Sequence, residues 1–231
     1  MKLLLFDLDG TILHATHTRG LEPFCMAMRE TFGVDGDLHA MRPDGKTDPL
    51  IIAELLELAG VTVRPDADAL RVFEGCLATR FAEALARGTT RVDPIPGVRA
   101  TLETLACDPR FALAVLTGNL ERAAHLKLEA AGLAEFFRVG AFGSDSAERA
   151  ALPEIARARF RERTGVCVAL GACVIIGDTP LDHVAAVRNG MPCVLIASGR
   201  TAFDELARLA PAAAFANWSD AAAIHAALTQ L

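Results

Sequence analysis

The stretch that decides the fold lies near the start of the chain, where residues 3–11 read Leu-Leu-Leu-Phe-Asp-Leu-Asp-Gly-Thr. A short apolar run that ends in turn residues indicates a buried strand of a parallel sheet. The pattern recurs at residues 111–119, Phe-Ala-Leu-Ala-Val-Leu-Thr-Gly-Asn, and at residues 173–182, Cys-Val-Ile-Ile-Gly-Asp-Thr-Pro-Leu-Asp. Ligands of open α/β sheets bind outside the carboxyl ends of such strands. The sequence therefore predicts that three strands bring polar side chains to one edge of one sheet.

Strand and helix patterns alternate from about residue 93 onward. Such alternation is typical of an α/β fold, in which helices cover a parallel sheet. The predicted strands cover residues 111–116, 136–142, 174–176, 193–196 and 213–215, and the predicted helices cover residues 120–131, 149–163, 181–189, 201–209 and 219–228.

The stretch between the first strand and residue 90 has a different pattern. It contains no segment that predicts a strand, and its apolar residues recur at helical spacing. Thr47 is the predicted N-cap of the second helix, and Pro49 fits its first turn. The three predicted helices cover residues 21–31, 48–59 and 67–87.

We therefore expect an all-helical cap domain inserted into the α/β core. The cap covers residues 15–93, and the core is formed by residues 1–14 and 94–231. Prolines and a glycine within residues 93–97 indicate a hinge where the insert rejoins the core. An insert that leaves and rejoins a sheet at its ligand edge is placed to act as a lid.

Composition narrows the class of protein. The hydrophobic fraction of 52% and the charged fraction of 23% are typical of a soluble globular chain. A net charge of −6 without a block of basic residues argues against nucleic acid as a partner. No apolar run approaches the roughly 20 residues that span a bilayer, and Asp7 interrupts the first run too early for a signal peptide. Six scattered cysteines without a C-x-x-C motif predict buried, reduced thiols. We expect a cytoplasmic protein with no membrane segment.

Two pairs of carboxylates follow the predicted strands, Asp7 with Asp9 and Asp178 with Asp182. Residues two apart in an extended segment point to the same side, so we expect Asp7 and Asp9 to lie close together. Neighbouring carboxylates repel each other, which favours a bound cation or a raised pKa. Oxygen ligands with few basic neighbours are the set that Mg²⁺ prefers.

Residues 117–119, Thr-Gly-Asn, precede a predicted helix and offer a hydroxyl, a backbone N–H and an amide. The free N–H groups at a helix N-terminus bind anions, so this segment predicts a phosphate cradle. A phosphate beside four carboxylates also needs a basic side chain. The candidates are Arg149, which follows a polar loop, Lys46, and Lys127, which we expect to face solvent from the middle of its helix.

These motifs, in this order, resemble those of the haloacid dehalogenase-like superfamily, and within it the phosphoglycolate phosphatase-like branch with a helical cap. Residues 7–11 match the first motif, residues 117–119 the second and residues 177–182 the fourth. The third motif is usually a lysine before a helix start that contains proline. Here residues 149–153, Arg-Ala-Ala-Leu-Pro, occupy that place, and an arginine supplies the same charge. The resemblance implies a Rossmann-like parallel sheet with the first strand in its centre.

The resemblance also implies a role for each residue of the predicted site. Asp7 would be the nucleophile that forms an aspartyl-phosphate, and Asp9 would be the general acid and base. Thr117 and Arg149 would be the catalytic groups that neutralise the phosphoryl oxygens. The implied phosphate- or substrate-binding residues are Gly10, Thr11, Gly118, Asn119 and Lys46, and the implied Mg²⁺ ligands are Asp7, Asp9 through its backbone carbonyl, Asp178 and Asp182.

The activity implied by the resemblance is that of a Mg²⁺-dependent phosphatase acting on a small phosphorylated metabolite. Asp9 favours this reading over a dehalogenase, which needs no proton donor at that position. A sugar phosphomutase with the same site and a non-catalytic binding protein on the same scaffold remain as alternatives. A phosphonate hydrolase would need a Schiff-base lysine in the cap, where Lys46 is the only lysine, and that family lacks the second aspartate.

The substrate type is expected from the loop before the second cap helix. If Lys46 or Arg42 contacts the substrate, its positive charge favours a substrate with a second negative group. Phosphoglycolate and a sugar phosphate with a second negative charge are such substrates. We expect a monomer or a homodimer.

Overall fold

The structure, a computed structural model, describes residues 1–62 and 64–231. Its strands are β1 (Lys2–Phe6), β2 (Leu13–His17), β3 (Thr90–Pro94), β4 (Phe111–Leu116), β5 (Gly140–Ala141), β6 (Cys173–Gly177), β7 (Cys193–Ile196) and β8 (Ala213–Phe215). One parallel sheet with the order β5-β4-β1-β6-β7-β8 forms the core. The predicted α/β fold is therefore confirmed.

Strand β1 lies between β4 and β6, which is the central position that the family resemblance implies. Alternate residues of a strand point to opposite faces of the sheet. Leu4 and Phe6 belong to the hydrophobic cluster on one face, and Leu3 and Leu5 belong to the cluster on the other. All four side chains are fully buried, so the first apolar run is the centre of both layers of the core.

Helices cover both faces of the sheet. The cluster around Leu4 includes buried residues of α4 (Val98–Ala106), α5 (Glu121–Ala130) and α9 (Ala221–Gln230). The cluster around Leu3 includes buried residues of α6 (Leu152–Thr164), α7 (Pro180–Asn189) and α8 (Phe203–Arg208).

The insert contains α1 (Pro23–Phe32), α2 (Asp48–Leu58) and α3 (Ala67–Ala86), close to the predicted bounds. Aromatic contacts hold these helices together, because Phe73 packs edge-on against Phe24 at 5.1 Å and stacks on Phe32 at 5.8 Å between ring centroids. The same hydrophobic cluster includes Leu120 and Ala123. The insert is therefore packed against the start of α5, directly after the second motif.

A two-stranded antiparallel ribbon formed by β2 and β3 connects the insert to the core. The sequence predicts no strand within residues 15–93, so this ribbon is an addition to the expected helices. Its strands are largely polar and bury only three side chains, those of Leu13, Thr90 and Val92. A pattern that depends on burial on one face is therefore too weak to predict these strands.

Two further boundaries differ from the prediction. The strand expected over residues 136–142 is reduced to β5, because Ala134–Phe136 forms a 3₁₀ turn and only Gly140 and Ala141 pair with β4. The helix expected over residues 149–163 begins with a 3₁₀ turn at Arg149–Ala151. Pro153 lacks the N–H that an α-helix would direct to the Arg149 carbonyl, so the α-helix begins later.

All six cysteines are free thiols, and Cys173 and Cys193 are buried as expected. Cys107 and Cys167 are exposed, which corrects the expectation of general burial, because each follows the end of a helix instead of lying within the core. Within the part of the chain that the structure describes, no helix combines the length and the hydrophobicity that a membrane crossing requires.

Trp218 links the segment between β8 and α9 to the loop after β1. The side chain is 1% exposed, and its Nε1–H donates to the Thr11 carbonyl at 2.7 Å. The indole also stacks on Phe6 at 6.4 Å between ring centroids. The C-terminal part of the chain thus supports the loop that carries the first motif.

We expect the Trp218→Ala variant to lose about 3–5 kcal/mol of unfolding free energy, because the truncation leaves a cavity against Phe6. Urea denaturation followed by circular dichroism measures this loss. Val187→Ala is the matched control, since its side chain is 65% exposed, and it should change stability by less than about 0.5 kcal/mol. Equal effects of the two variants would contradict this account of the core.

Candidate active site

Three motif residues lie one position beyond the ends of three adjacent strands. Asp7 follows β1, Thr117 follows β4 and Asp178 follows β6. The Asp7 N–H donates to the Ile176 carbonyl at 2.9 Å, which extends the sheet pairing into the site. The parallel register therefore brings Asp7 beside two residues that are each more than a hundred positions away in the sequence.

Asp7, Asp178 and Asp182 form a buried acidic cluster, with one carboxylate oxygen from each within 4.8 Å of the others. Arg149 lies against this cluster and is itself 8% exposed. One of its nitrogens, Nη2, is 3.1 Å from Asp7 Oδ1 and also contacts Asp182 Oδ1. The structure thus places Arg149 against Asp7, the residue that the family resemblance implies as nucleophile.

The acidic cluster favours protonation when no other cation neutralises it. Burial raises the pKa of Asp178 to about 8, and the negative charge of Asp7 adds to the shift. Burial also raises the pKa of Asp7 to about 6, although Arg149 partly offsets the increase. A group of buried oxygen donors with one guanidinium leaves an excess of negative charge, and this chemistry fits a hard divalent cation.

Asp178 is held at the edge of the cluster by the loop after β1. Thr11 Oγ1 donates to Asp178 Oδ1 at 2.7 Å, and Ser198 Oγ donates to the Gly10 carbonyl at 2.8 Å. Gly10 has a φ of +81°, and a Cβ there would lie 2.6 Å from Asp178 Oδ2. Only glycine satisfies both the left-handed backbone and the close carboxylate.

Asp182 is fully buried, and both of its oxygens have partners within the protein. Oδ2 accepts from the Thr179 N–H at 3.1 Å and from the Thr179 hydroxyl at 2.7 Å, which caps the start of α7. Oδ1 contacts Arg149. Asp182 therefore anchors the arginine and the helix, and its expected contribution to a metal site stays a prediction.

The loop before α2 lies directly over the second motif. The Asp48 N–H donates to the Gly118 carbonyl at 2.7 Å, and Asp48 Oδ2 accepts from the Leu120 N–H at 2.8 Å. Any Cβ on Gly118 would clash with the Lys46 carbonyl, so the two backbones touch. Burial raises the pKa of Asp48 to about 6, with Lys127 partly offsetting the increase. These contacts describe an insert that is closed over the core.

Thr47 occupies the N-cap position of α2 as predicted, but its side chain does not cap the helix. The hydroxyl donates instead to the Ala147 carbonyl at 2.7 Å, on the core side of the interface. The contact adds a third link between the insert and the core. A sequence pattern cannot distinguish the two uses of one hydroxyl, because both require only a small polar residue before a helix.

Lys127 lies in the site, which corrects the expectation that it faces solvent. Its side chain is 13% exposed, and Nζ is 2.6 Å from Asp9 Oδ2 and 2.5 Å from Asn119 Oδ1. Asp9 itself is 39% exposed. Helical phase alone predicts a surface position for Lys127, because the sequence does not reveal that the insert covers this side of α5.

A cavity of about 440 Å³ lies between the sheet edge and the insert. Its floor contains Asp7, Asp178 and the second motif, and its cap side includes Lys46, whose Nζ is 2.6 Å from Glu54 Oε2. The cap side also carries large apolar residues and three carboxylates, namely Phe24, Leu38, Ile51, Leu77 and Phe81, and Glu22, Asp44 and Asp48. The cavity therefore combines a polar floor with a cap side that is partly apolar and carries charges of both signs.

Comparison with known proteins agrees with this geometry. The haloacid dehalogenase-like hydrolase family model matches residues 1–190. The chain is 28% identical over 209 residues to a phosphoglycolate phosphatase from Rhodospirillum rubrum, covering 86% of this chain and 80% of the relative.

Solved structures show the same fold. A predicted phosphoglycolate phosphatase from Haemophilus somnus has a TM-score of 0.64 at 20% identity, covering 97% of this chain and 98% of the other. A mutant CbbY from Rhodobacter sphaeroides, solved with xylulose-(1,5)bisphosphate, has a TM-score of 0.57 at 25% identity, covering 84% and 85%.

We expect Mg²⁺ to raise the melting temperature by about 5 °C at pH 8 and by less at pH 5.5. Burial raises the pKa of Asp178 from 3.8 to about 8, so the folded state retains a proton that the unfolded state loses. Without metal, the free energy of unfolding therefore falls as the pH rises from 3.8 to about 8. A cation that binds the ionised carboxylate restores this stability. Differential scanning fluorimetry measures both shifts.

Asp178→Asn should abolish the Mg²⁺ effect, whereas Asp204→Asn, which removes an exposed carboxylate on α8, should retain it. An equal shift at both pH values, or a full shift in Asp178→Asn, would contradict the assignment of this cluster to a cation.

Proposed function

Because this chain belongs to the haloacid dehalogenase-like hydrolase family, we propose that it is a Mg²⁺-dependent phosphatase that uses Asp7 as its nucleophile. It acts on the phosphoric monoester bond of a small phosphorylated metabolite. The observation that carries the proposal is the contact of Arg149 with Asp7 Oδ1 at 3.1 Å, on the floor of the cavity. A buried carboxylate that is aligned by a guanidinium, next to a helix N-terminus, is suited to attack a phosphoryl group.

The first step transfers the phosphoryl group to the protein. An Asp7 oxygen forms a bond to phosphorus while the ester P–O bond breaks, and Asp9 gives its proton to the departing oxygen. Arg149 and the second-motif groups Thr117, Gly118 and Asn119 neutralise the phosphoryl oxygens. The second step reverses the role of Asp9, which takes a proton from water as the water attacks phosphorus and releases Asp7.

Asp7, the Asp9 backbone carbonyl and Asp178 are the groups that would hold Mg²⁺, with Asp182 contributing directly or through water. The donor set fits the ion because the buried acidic cluster contains more negative charge than Arg149 neutralises. When bound, the cation supplies positive charge that stabilises the phosphoryl oxygens and the nucleophile in the transition state. Thr11 keeps Asp178 in place for this purpose through the 2.7 Å hydrogen bond.

We propose a substrate of the phosphoglycolate or sugar phosphate type. The insert is closed over the core, so the cavity of about 440 Å³ limits the size of the leaving group. Lys46 lies on the cavity wall, where it is placed to bind a carboxylate or a second phosphate. The R. rubrum relative is a phosphoglycolate phosphatase, which supports the same choice.

The organisation that goes with this function is a core of residues 1–14 and 94–231 and a cap of residues 15–93. The β2–β3 ribbon connects the two and supports this division. We propose that the enzyme works in the cytoplasm as a monomer or a homodimer.

We expect Asp7→Asn to reduce the hydrolysis of p-nitrophenyl phosphate by at least about 1,000-fold, since an amide cannot replace the attacking carboxylate. Phosphate release with and without Mg²⁺ measures the effect. Asp204→Asn is the matched control and should retain wild-type turnover. Metal-independent turnover, or turnover that survives in Asp7→Asn, would rule out the proposed chemistry. A requirement for a sugar bisphosphate would point to the phosphomutase instead.

We expect Lys46→Met to raise the KM for phosphoglycolate by about 10-fold and to leave the KM for p-nitrophenyl phosphate almost unchanged. The reason is that one charge-assisted hydrogen bond to the substrate carboxylate is lost. Steady-state kinetics with both substrates measure the difference. Glu54→Gln frees Lys46 from its 2.6 Å ion pair and should lower the KM for phosphoglycolate. If Lys46→Met changed the KM for both substrates equally, Lys46 would not be the residue that binds the second negative charge.

A further inference from the structure

Lys127 joins the first and second motifs through one ammonium group. Its Nζ is 2.6 Å from Asp9 Oδ2 and 2.5 Å from Asn119 Oδ1. We propose that Lys127 is a positioning residue that directs the Asp9 carboxyl group to the leaving oxygen, with the Asn119 amide oxygen as its second anchor. This inference rests on the proposed phosphatase function, in which Asp9 is the general acid and base.

The ammonium group of Lys127 has enough hydrogen-bond donors to hold both partners at once. A lysine ammonium has three N–H donors and no acceptor. Two of these donors are directed to the oxygens of Asp9 and Asn119. Because the Asn119 carbonyl accepts from Lys127, its NH₂ group is directed away from the lysine and is available to donate to an anion.

The positive charge of Lys127 influences the pKa values of residues of the insert that lie next to the core. The ammonium offsets part of the burial-driven rise in the pKa of Asp48, on the insert. It also contributes, after desolvation, to the lowered pKa of His17 on β2, which Asp9 and Glu22 oppose. Asp9, Asp48, Asn119 and His17 line the same cavity as Lys127. The lysine therefore faces the site and not bulk solvent.

Asp9 needs this lysine as a partner because its side chain is 39% exposed, unlike the buried Asp7. A short carboxylate at the rim of a cavity is free to rotate unless a strong partner restrains it. General acid catalysis contributes about 10²–10⁴-fold, and a misplacement of about 1 Å is enough to lose about 10²-fold. The loss should be greatest for esters whose leaving oxygen requires a proton.

The test compares two aryl esters of nearly equal shape, phenyl phosphate and p-nitrophenyl phosphate. Phenol resembles the tyrosine side chain, with a pKa of about 10, and needs protonation, whereas the more acidic p-nitrophenol leaves readily as an anion. We expect Lys127→Met to lower kcat for phenyl phosphate by about 100-fold and kcat for p-nitrophenyl phosphate by less than about 5-fold, with little change in KM. Lys127→Arg should recover part of the loss.

The matched control is Arg122→Met, which removes one positive charge from the exposed side of the same helix and should leave both activities unchanged. Equal losses of kcat for both esters in Lys127→Met would overturn the positioning role. A rise in KM for both esters would overturn it in favour of direct phosphate binding.

Asp9→Asn separates this inference from the proposed function. A selective loss with phenyl phosphate in Asp9→Asn, but not in Lys127→Met, would overturn only the role of Lys127. Wild-type protein that hydrolyses neither ester would overturn the proposed function, and the inference with it.

Discussion

The crowding of three buried carboxylates around one guanidinium is the constraint on which the rest of the site depends. Asp7, Asp178 and Asp182 lie at one sheet edge, and Arg149 contacts two of them. Burying charges of one sign is costly unless they are paired, so each carboxylate needs its own partner. Asp182 is satisfied by the cap of α7 and by the arginine, and Asp178 by Thr11. The remaining negative charge is what a divalent cation would neutralise.

The parts that the sequence predicts well are those that depend on burial alone. The strands over residues 111–116, 193–196 and 213–215 have the predicted bounds, because short apolar runs between turns admit few other structures. The central position of β1 follows from the family resemblance, and it brings the motif residues to one edge. Local patterns thus predict the strands that carry the motif residues, and the resemblance predicts their order in the sheet.

The parts that the sequence predicts poorly depend on tertiary contacts between the insert and the core. The β2–β3 ribbon is largely polar and buries only Leu13, Thr90 and Val92, so its burial pattern is too weak to predict two strands. Lys127 is directed into the site because the insert covers α5, which the helical phase cannot reveal. Trp218 supports the first-motif loop from the far end of the chain, and no local signal indicates that contact.

The most direct test of the central claim is chemical trapping of the phosphorylated nucleophile. Wild-type protein is mixed with substrate and Mg²⁺, quenched and treated with borohydride, which reduces an aspartyl-phosphate to homoserine, and the peptide that contains residue 7 is then analysed by mass spectrometry. The account predicts homoserine at position 7, only when substrate is present. Trapping at Asp9 or Asp178 instead of Asp7 would contradict it.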